Sequence, residues 1–269
     1  FTGFVQEETS RDRETNHVGE DVDFLAFSGN GALAGTSAEP AGGGFEVGTI
    51  ADVTHELVTI DLVNEYRNPV VIAFLATARG VQPAEVRVNA TTARTVTLQL
   101  QEPASLDGRH WAETVHYMVV EAGVWSIGGK LIQAGLLETD RLTSAGFEEV
   151  AFPVAFDEAP VILSEVQSIN GADFVTTRQR ESGTDGFQVA MQEETARNGG
   201  IHARETIGWV AIEGGTAALG GFLFEAGTLD GTGGRSQVLP DEMAAVASIG
   251  TYGGDETEWA RGEGTSPAG

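Results

Sequence analysis

Cysteine is absent from the 269 residues, so neither disulfide bonds nor thiol chemistry contribute to this protein. Lysine is almost absent: Lys130 is the single lysine among 15 basic residues, which face 40 acidic ones for a net charge of −25. Without a basic face to neutralise phosphates, nucleic acid is not an expected partner. No run approaches the ~18 apolar residues of a membrane span, so none is expected. Catalytic signatures are missing too. The sequence has no G-x-S-x-G elbow, no H-E-x-x-H and no phosphate-cradling glycine motif. Paired carboxylates in so acidic a chain carry no message by themselves. The expectation is a protein that is not an enzyme and carries no cofactor. Calcium would suit acidic runs such as Glu7-Glu8 and residues 21–23, but none has the spaced ligands of a calcium loop. The chain begins at Phe1 with neither methionine nor a signal-like apolar segment, as expected of a processed product or an excised piece.

What is present is acid, glycine and repetition. An acidic surface that uses arginine and almost no lysine suits solubility at high salt, where long-range repulsion is screened. The 36 glycines punctuate the chain at loop-like intervals. One block is written three times: residues 192–214 read QEETARNGGIHARETIGWVAIEG, residues 101–122 QEPASLDGRHWAETVHYMVVEA and residues 6–29 QEETSRDRETNHVGEDVDFLAFSG. Each has Gln-Glu, a polar loop, His-x-x-Glu and an apolar stretch. The histidines are His17, His110 and His202, followed by Glu20, Glu113 and Glu205. The copies lie 91 to 95 residues apart, a domain-sized period.

Between the blocks the patterning is β. Val58, Ile60 and Leu62 alternate with Thr59 and Asp61, and one repeat later Val150, Phe152, Val154 and Phe156 alternate with Ala151, Pro153 and Ala155. Proline-led apolar runs follow, NPVVIAFLAT from Asn68 and APVILSEVQS from Ala159. Val96, Leu98 and Leu100 match Phe187, Val189 and Met191. Phe24, Tyr117 and Trp209 share one slot, predicted to be a core aromatic on a central strand. Short strands at this spacing, with no amphipathic helical stretch, predict an all-β fold of tandem antiparallel β-sandwich repeats in a row. The repeats divide as 1–47 (a second half), 48–137, 138–235 (complete, the last with a glycine-rich linker) and 236–269 (a first half).

The third copy has an F/P-V strand, a G-A-D turn, arginines, a GF strand and a W-V-A-I strand, and it resembles the H-type lectin domain. The QEE…HxxET block is also similar to modules of large secreted bacterial and archaeal surface proteins. The resemblance implies a six-stranded sandwich, typically trimeric, binding N-acetylgalactosamine-type sugars. The second copy departs from it, with ATARG at 76–80 where the third has INGAD at 169–173.

For His-x-x-Glu three readings stand. The pair could ligate a metal, with a third ligand from Glu7, Glu102 or Glu193. It could form a polar rim for sugar hydroxyls, with Trp111 or Trp209 as a stacking face. Or the histidine could tie a loop to the sandwich by hydrogen bonds, which is the preferred reading. A second constellation sets Arg178 and Arg180 beside Asp173, and Arg261 beside Asp255, as a clamp on sugar or protomer or as an exposed ion pair. Asn89-Ala90-Thr91 is a glycosylation sequon. The leading expectation is an extracellular, cell-surface structural or adhesive protein. The alternative is a carbohydrate-binding lectin. The two terminal half-repeats are expected to complete one another, preferably head to tail between neighbouring chains as a filament.

Overall fold

The structure is a computed structural model and describes residues 3–10, 19–34, 44–197, 199–219, 221–229, 243–253 and 257–262. The fold is all-β: among the described residues there are twenty strands, numbered along the chain, with one 3₁₀ turn at Thr143–Ala145. They form three sandwiches of one plan.

In the first, a four-stranded sheet is ordered β17 (Gly215–Leu219), β18 (Phe222–Leu229), β2 (Val22–Ser28), β19 (Met243–Ile249), and faces the pair β1 (Gly3–Glu7) and β20 (Glu258–Gly262). The second has β3 (Gly31–Ala34), β4 (Gly44–Val53), β9 (Glu113–Glu121), β6 (Pro69–Leu75) facing β5 (Val58–Asp61), β8 (Thr95–Gln101), β7 (Glu85–Thr91). The third has β10 (Gly123–Ile127), β11 (Lys130–Thr139), β16 (Glu205–Ile212), β13 (Val161–Val166) facing β12 (Glu148–Ala151), β15 (Gly186–Glu193), β14 (Val175–Arg180). All named pairings are antiparallel.

The aromatic slot explains the placing of three glycines. Tyr117 stands opposite Gly48, Trp209 opposite Gly135 and Phe24 opposite Gly227. A Cβ on Gly135 would lie 2.5 Å from the Trp209 ring, and one on Gly227 3.0 Å from Phe24. The ring lies across the bare backbone of the neighbouring strand, so the glycine is a receptacle rather than a turn signal. All three aromatics are buried.

The proline-led strand β6 is apolar throughout because both of its faces are covered. Val71, Ala73 and Leu75 point into the second sandwich's own core, while Val70, Ile72 and Phe74 join a core shared by all three repeats. That shared core also takes Leu25 and Phe27 from β2, Val161 and Leu163 from β13, and Val246 from β19. The four-stranded sheets therefore pack outer face to outer face around a common centre, where β6, β13 and β19 meet. This corrects the expected row of beads. A row would have left the second face of each proline-led strand in water, and the apolar side chains there drive closure.

Closure has a covalent logic as well. Each hairpin leaving one repeat adds its strands to the next repeat's sheet: β3–β4 to the second, β10–β11 to the third, and β17–β18 back onto β2 of the first. The strand Gly44–Val53 thus spans the boundary drawn at 47/48. The terminal halves meet within the chain, Gly3 opposite Gly262 and Phe24 opposite Ala247. Of the two pairings expected for the terminal halves, within a chain or head to tail between chains, the described residues make the first. The strands a head-to-tail contact would donate are already paired inside the chain, where no partner has to be captured from solution.

Candidate functional site: the junctions between repeats

In each repeat the inner edge strand (β19, β6 or β13) ends in a turn whose N–H groups need an acceptor. The glutamate of His-x-x-Glu supplies it from the neighbouring strand. Glu113 accepts from the N–H of Arg79 (3.0 Å) and Gly80 (2.7 Å) and from the Thr77 hydroxyl. Glu205 accepts from the N–H of Asn170 (2.9 Å) and Gly171 (2.8 Å) and from the Ser168 hydroxyl. Glu20 accepts from the N–H of Gly253 (2.5 Å) and the Thr251 hydroxyl.

The histidine closes the other side. His110 Nδ1 is 2.9 Å from Glu102 and its Nε2 3.3 Å from Glu113. His202 Nδ1 is 2.8 Å from Glu193 and its Nε2 3.3 Å from Glu205. Both rings lie in the loop just before the strand and rest on a glycine, where a Cβ on Gly80 or Gly171 would come within 2.6 or 2.8 Å of Nε2. Glu102 and Glu193 belong to the Gln-Glu pairs, so the two halves of the repeated block touch through the imidazole. His17 and Asp255 lie outside the described residues.

The arginines correct the sequence reading. Arg178 does not pair with Asp173. It reaches into the first repeat, 2.9 Å from Glu20 and 2.8 Å from Glu258. Arg261 of the first repeat reaches Glu113 of the second at 2.9 Å. Arg87 of the second reaches Glu205 of the third at 3.4 Å. The three bridges run round the particle in one sense, and all three guanidinium groups are buried. The reason is register: each arginine occupies the same position on the edge strand facing the next repeat. Asp173 instead makes an exposed pair with Arg197 at 3.2 Å, and Arg180 lies over the Phe147 ring. Arg87 is the residue the sequence reading missed. It stands 91 residues before Arg178, the interval that separates Gln101 from Gln192, so the signal was there.

A second set of contacts satisfies the inner edges of β6, β13 and β19. Asp23 accepts the Ile162 N–H at 2.9 Å, His116 Nδ1 lies 3.0 Å from the Ala245 backbone N, and Gln167 accepts from Val71 N–H (3.0 Å) while donating to Pro69 O (2.9 Å). Each contact again crosses from one repeat to another.

Electrostatics follow geometry. Burial would raise Glu113 and Glu205, but the hydrogen bonds from His110 and His202, the turn N–H groups and the hydroxyls hold both down at about 2. Burial would lower His202, and its two glutamates raise it instead. Among the described residues His116 has no carboxylate partner, and burial takes it down to about 4. Burial raises Asp23 to about 6 against the bonds it accepts from Thr228 and Ile162. Near the centre a cavity of about 20 Å³ is lined by Glu85 and Glu165 among others. Burial pushes Glu85 up to about 8 and Glu165 well above its ordinary value, with Arg87 opposing both. The space is large enough for one water and too small for an organic substrate.

What this arrangement does chemically is lock repeats together. Trp209 is buried beside Phe152 and Phe187 and offers no stacking face, whereas Trp111 is 74% exposed. Among the described residues no helix is long and apolar enough to cross a membrane. No family model matches the chain. No solved structure matches it either. Among curated proteins, halomucin of Haloquadratum walsbyi (strain DSM 16790 / HBSQ001) is 29% identical over 226 residues, covering 77% of this chain and 2% of halomucin. The chain thus spans a small fraction of halomucin's length.

Proposed function

We propose that the chain is a non-enzymatic, extracellular structural module of a surface-associated protein adapted to high salt. The carrying observation is the ring of buried bridges Arg87–Glu205, Arg178–Glu20 and Arg261–Glu113, which spends the chain's recurring polar motif on holding three repeats in one closed particle. The similarity to halomucin and the net charge of −25 support the location and the medium. Assembly into a layer or filament would then proceed through covalent succession of closed particles along a longer polypeptide, not through strand exchange. Light scattering in multimolar salt should give a monomer that limited proteolysis leaves intact, and antibodies should label the outside of intact producing cells. A labelled cell interior, or turnover of a substrate by the pure chain, would sink this reading.

A second reading, carbohydrate binding, is favoured by one specific patch. Trp111 and Val81 (97% exposed) flank the buried His110–Gly80 junction, and Arg79 bonds to the Ala112 carbonyl beside them. An exposed aromatic face next to an arginine suits a sugar ring. Glycan binding by the monomer, lost in Trp111→Ala with unchanged melting, would establish it.

A further inference from the structure

We propose that Asp173, Glu193 and His202 form a binding site for one divalent transition-metal ion, with an imidazole nitrogen and two carboxylates as a donor set that zinc fits. The three ligand atoms lie within 4.8 Å of one another. Zinc holds N and O ligands at about 2.0–2.2 Å, so closure draws atoms now up to 4.8 Å apart to about 3.4 Å. Asp173 can supply this contraction, because it lies on an exposed loop before β14. Glu193 and His202 are each 3% exposed, and the 2.8 Å hydrogen bond they now share through Nδ1 would give way to the ion.

Support comes from behind the imidazole. With Nδ1 turned to the metal, Nε2 faces Glu205 at 3.3 Å. That is the carboxylate–histidine–metal relay which fixes tautomer and ring plane in metal sites. Glu205 is itself held by Asn170, Gly171 and Ser168. The group now beside Asp173 is Arg197, an ion pair with both side chains about half exposed, whose displacement costs little. Solvent on the Asp173 side supplies the remaining coordination and the entry path.

The second repeat is a built-in control. His110, Glu102 and Glu113 repeat the same contacts at 2.9 and 3.3 Å. Two residues after Gly80, however, stands Gln82, where Asp173 stands two after Gly171. An amide there leaves the second repeat one ligand short, so the site belongs to the third.

The test is calorimetric titration of zinc chloride alone into the full chain, stripped with chelator and kept in high salt so that the acidic surface is screened. One equivalent is expected. Asp173→Asn should weaken binding about tenfold or more, while melting in chelator stays unchanged. Gln82→Asp should add a second equivalent. Absence of saturable binding would overturn the proposal, as would wild-type affinity in Asp173→Asn, which would place the zinc elsewhere on the acidic surface. A Gln82→Asp chain that still binds one equivalent would deny that the aspartate completes the set.

Discussion

Gln167 fills the space in front of Gly208. Any Cβ on Gly208 would collide with the Gln167 amide oxygen. In the other two repeats the position of Gly208 carries a polar side chain, His116 before Tyr117 and Asp23 before Phe24. Those side chains reach the backbone of a neighbouring inner strand, and in the third repeat Gln167 does the same task from a different strand. The need is physical: each inner edge strand has backbone groups facing protein rather than water, and some side chain must meet them. The identity of the side chain is free.

Gln167→Ala should therefore strip partners from both Val71 N–H and Pro69 C=O in a buried place. A loss of about 2–4 kcal/mol is expected in denaturant titrations. Gly208→Ala should destabilise through the clash, and the double variant should recover part of that loss, since alanine at 167 removes the colliding amide. Additive losses would show that the two residues do not share a volume.

Removing one partner of a buried bridge should cost about 3–5 kcal/mol, because the other charge is left in the protein interior. Arg261→Met tests this best, since its guanidinium also donates to the carbonyls of Thr77, Gly80 and Gln82. Arg261→Lys should rescue little, because an ammonium cannot span this fork of acceptors. Adding Glu113→Gln to Arg261→Met should cost less than the separate effects combined.

Acid should remove two contributions to stability in order, while Glu85 and Glu165, raised by burial, act the other way. His116, lowered to about 4 in the fold, binds its proton more readily when unfolded, so stability falls as pH drops from about 6.5 towards 4. Glu113 and Glu205, held at about 2, add a loss as pH falls from about 4.5 towards 2. Asp23 acts oppositely: raised to about 6, it favours the folded state as pH falls from 6 towards 3.8. His116→Gln should flatten the first stage and leave the second. A pH profile unchanged by that variant would remove His116 from the account.

Salt should stabilise through screening. The chain carries −25, and the Debye length shrinks from about 10 Å at 0.1 M to about 3 Å at 1 M. The melting temperature should climb steeply over that range and then level, with sodium, potassium and choline chlorides alike. Dependence on one cation alone would point to specific sites instead.

Much of this architecture is legible in one sequence because repetition makes each copy a check on the others. The alternation of Val96, Leu98 and Leu100 against Phe187, Val189 and Met191 determined strands. The shared slot of Phe24, Tyr117 and Trp209 determined a buried central strand, and the triple His-x-x-Glu marked residues that the fold uses alike where they are described. These are local periodicities and register, which a chain carries in its own order of residues. The closed ring was decided only in three dimensions. Nothing in NPVVIAFLAT says which neighbour covers its second face, and nothing near Arg178 says that its partner is Glu20, 158 residues away. Burial and charge pairing act through space, so the sequence named the participants and only the tertiary packing around β6, β13 and β19 chose their partners.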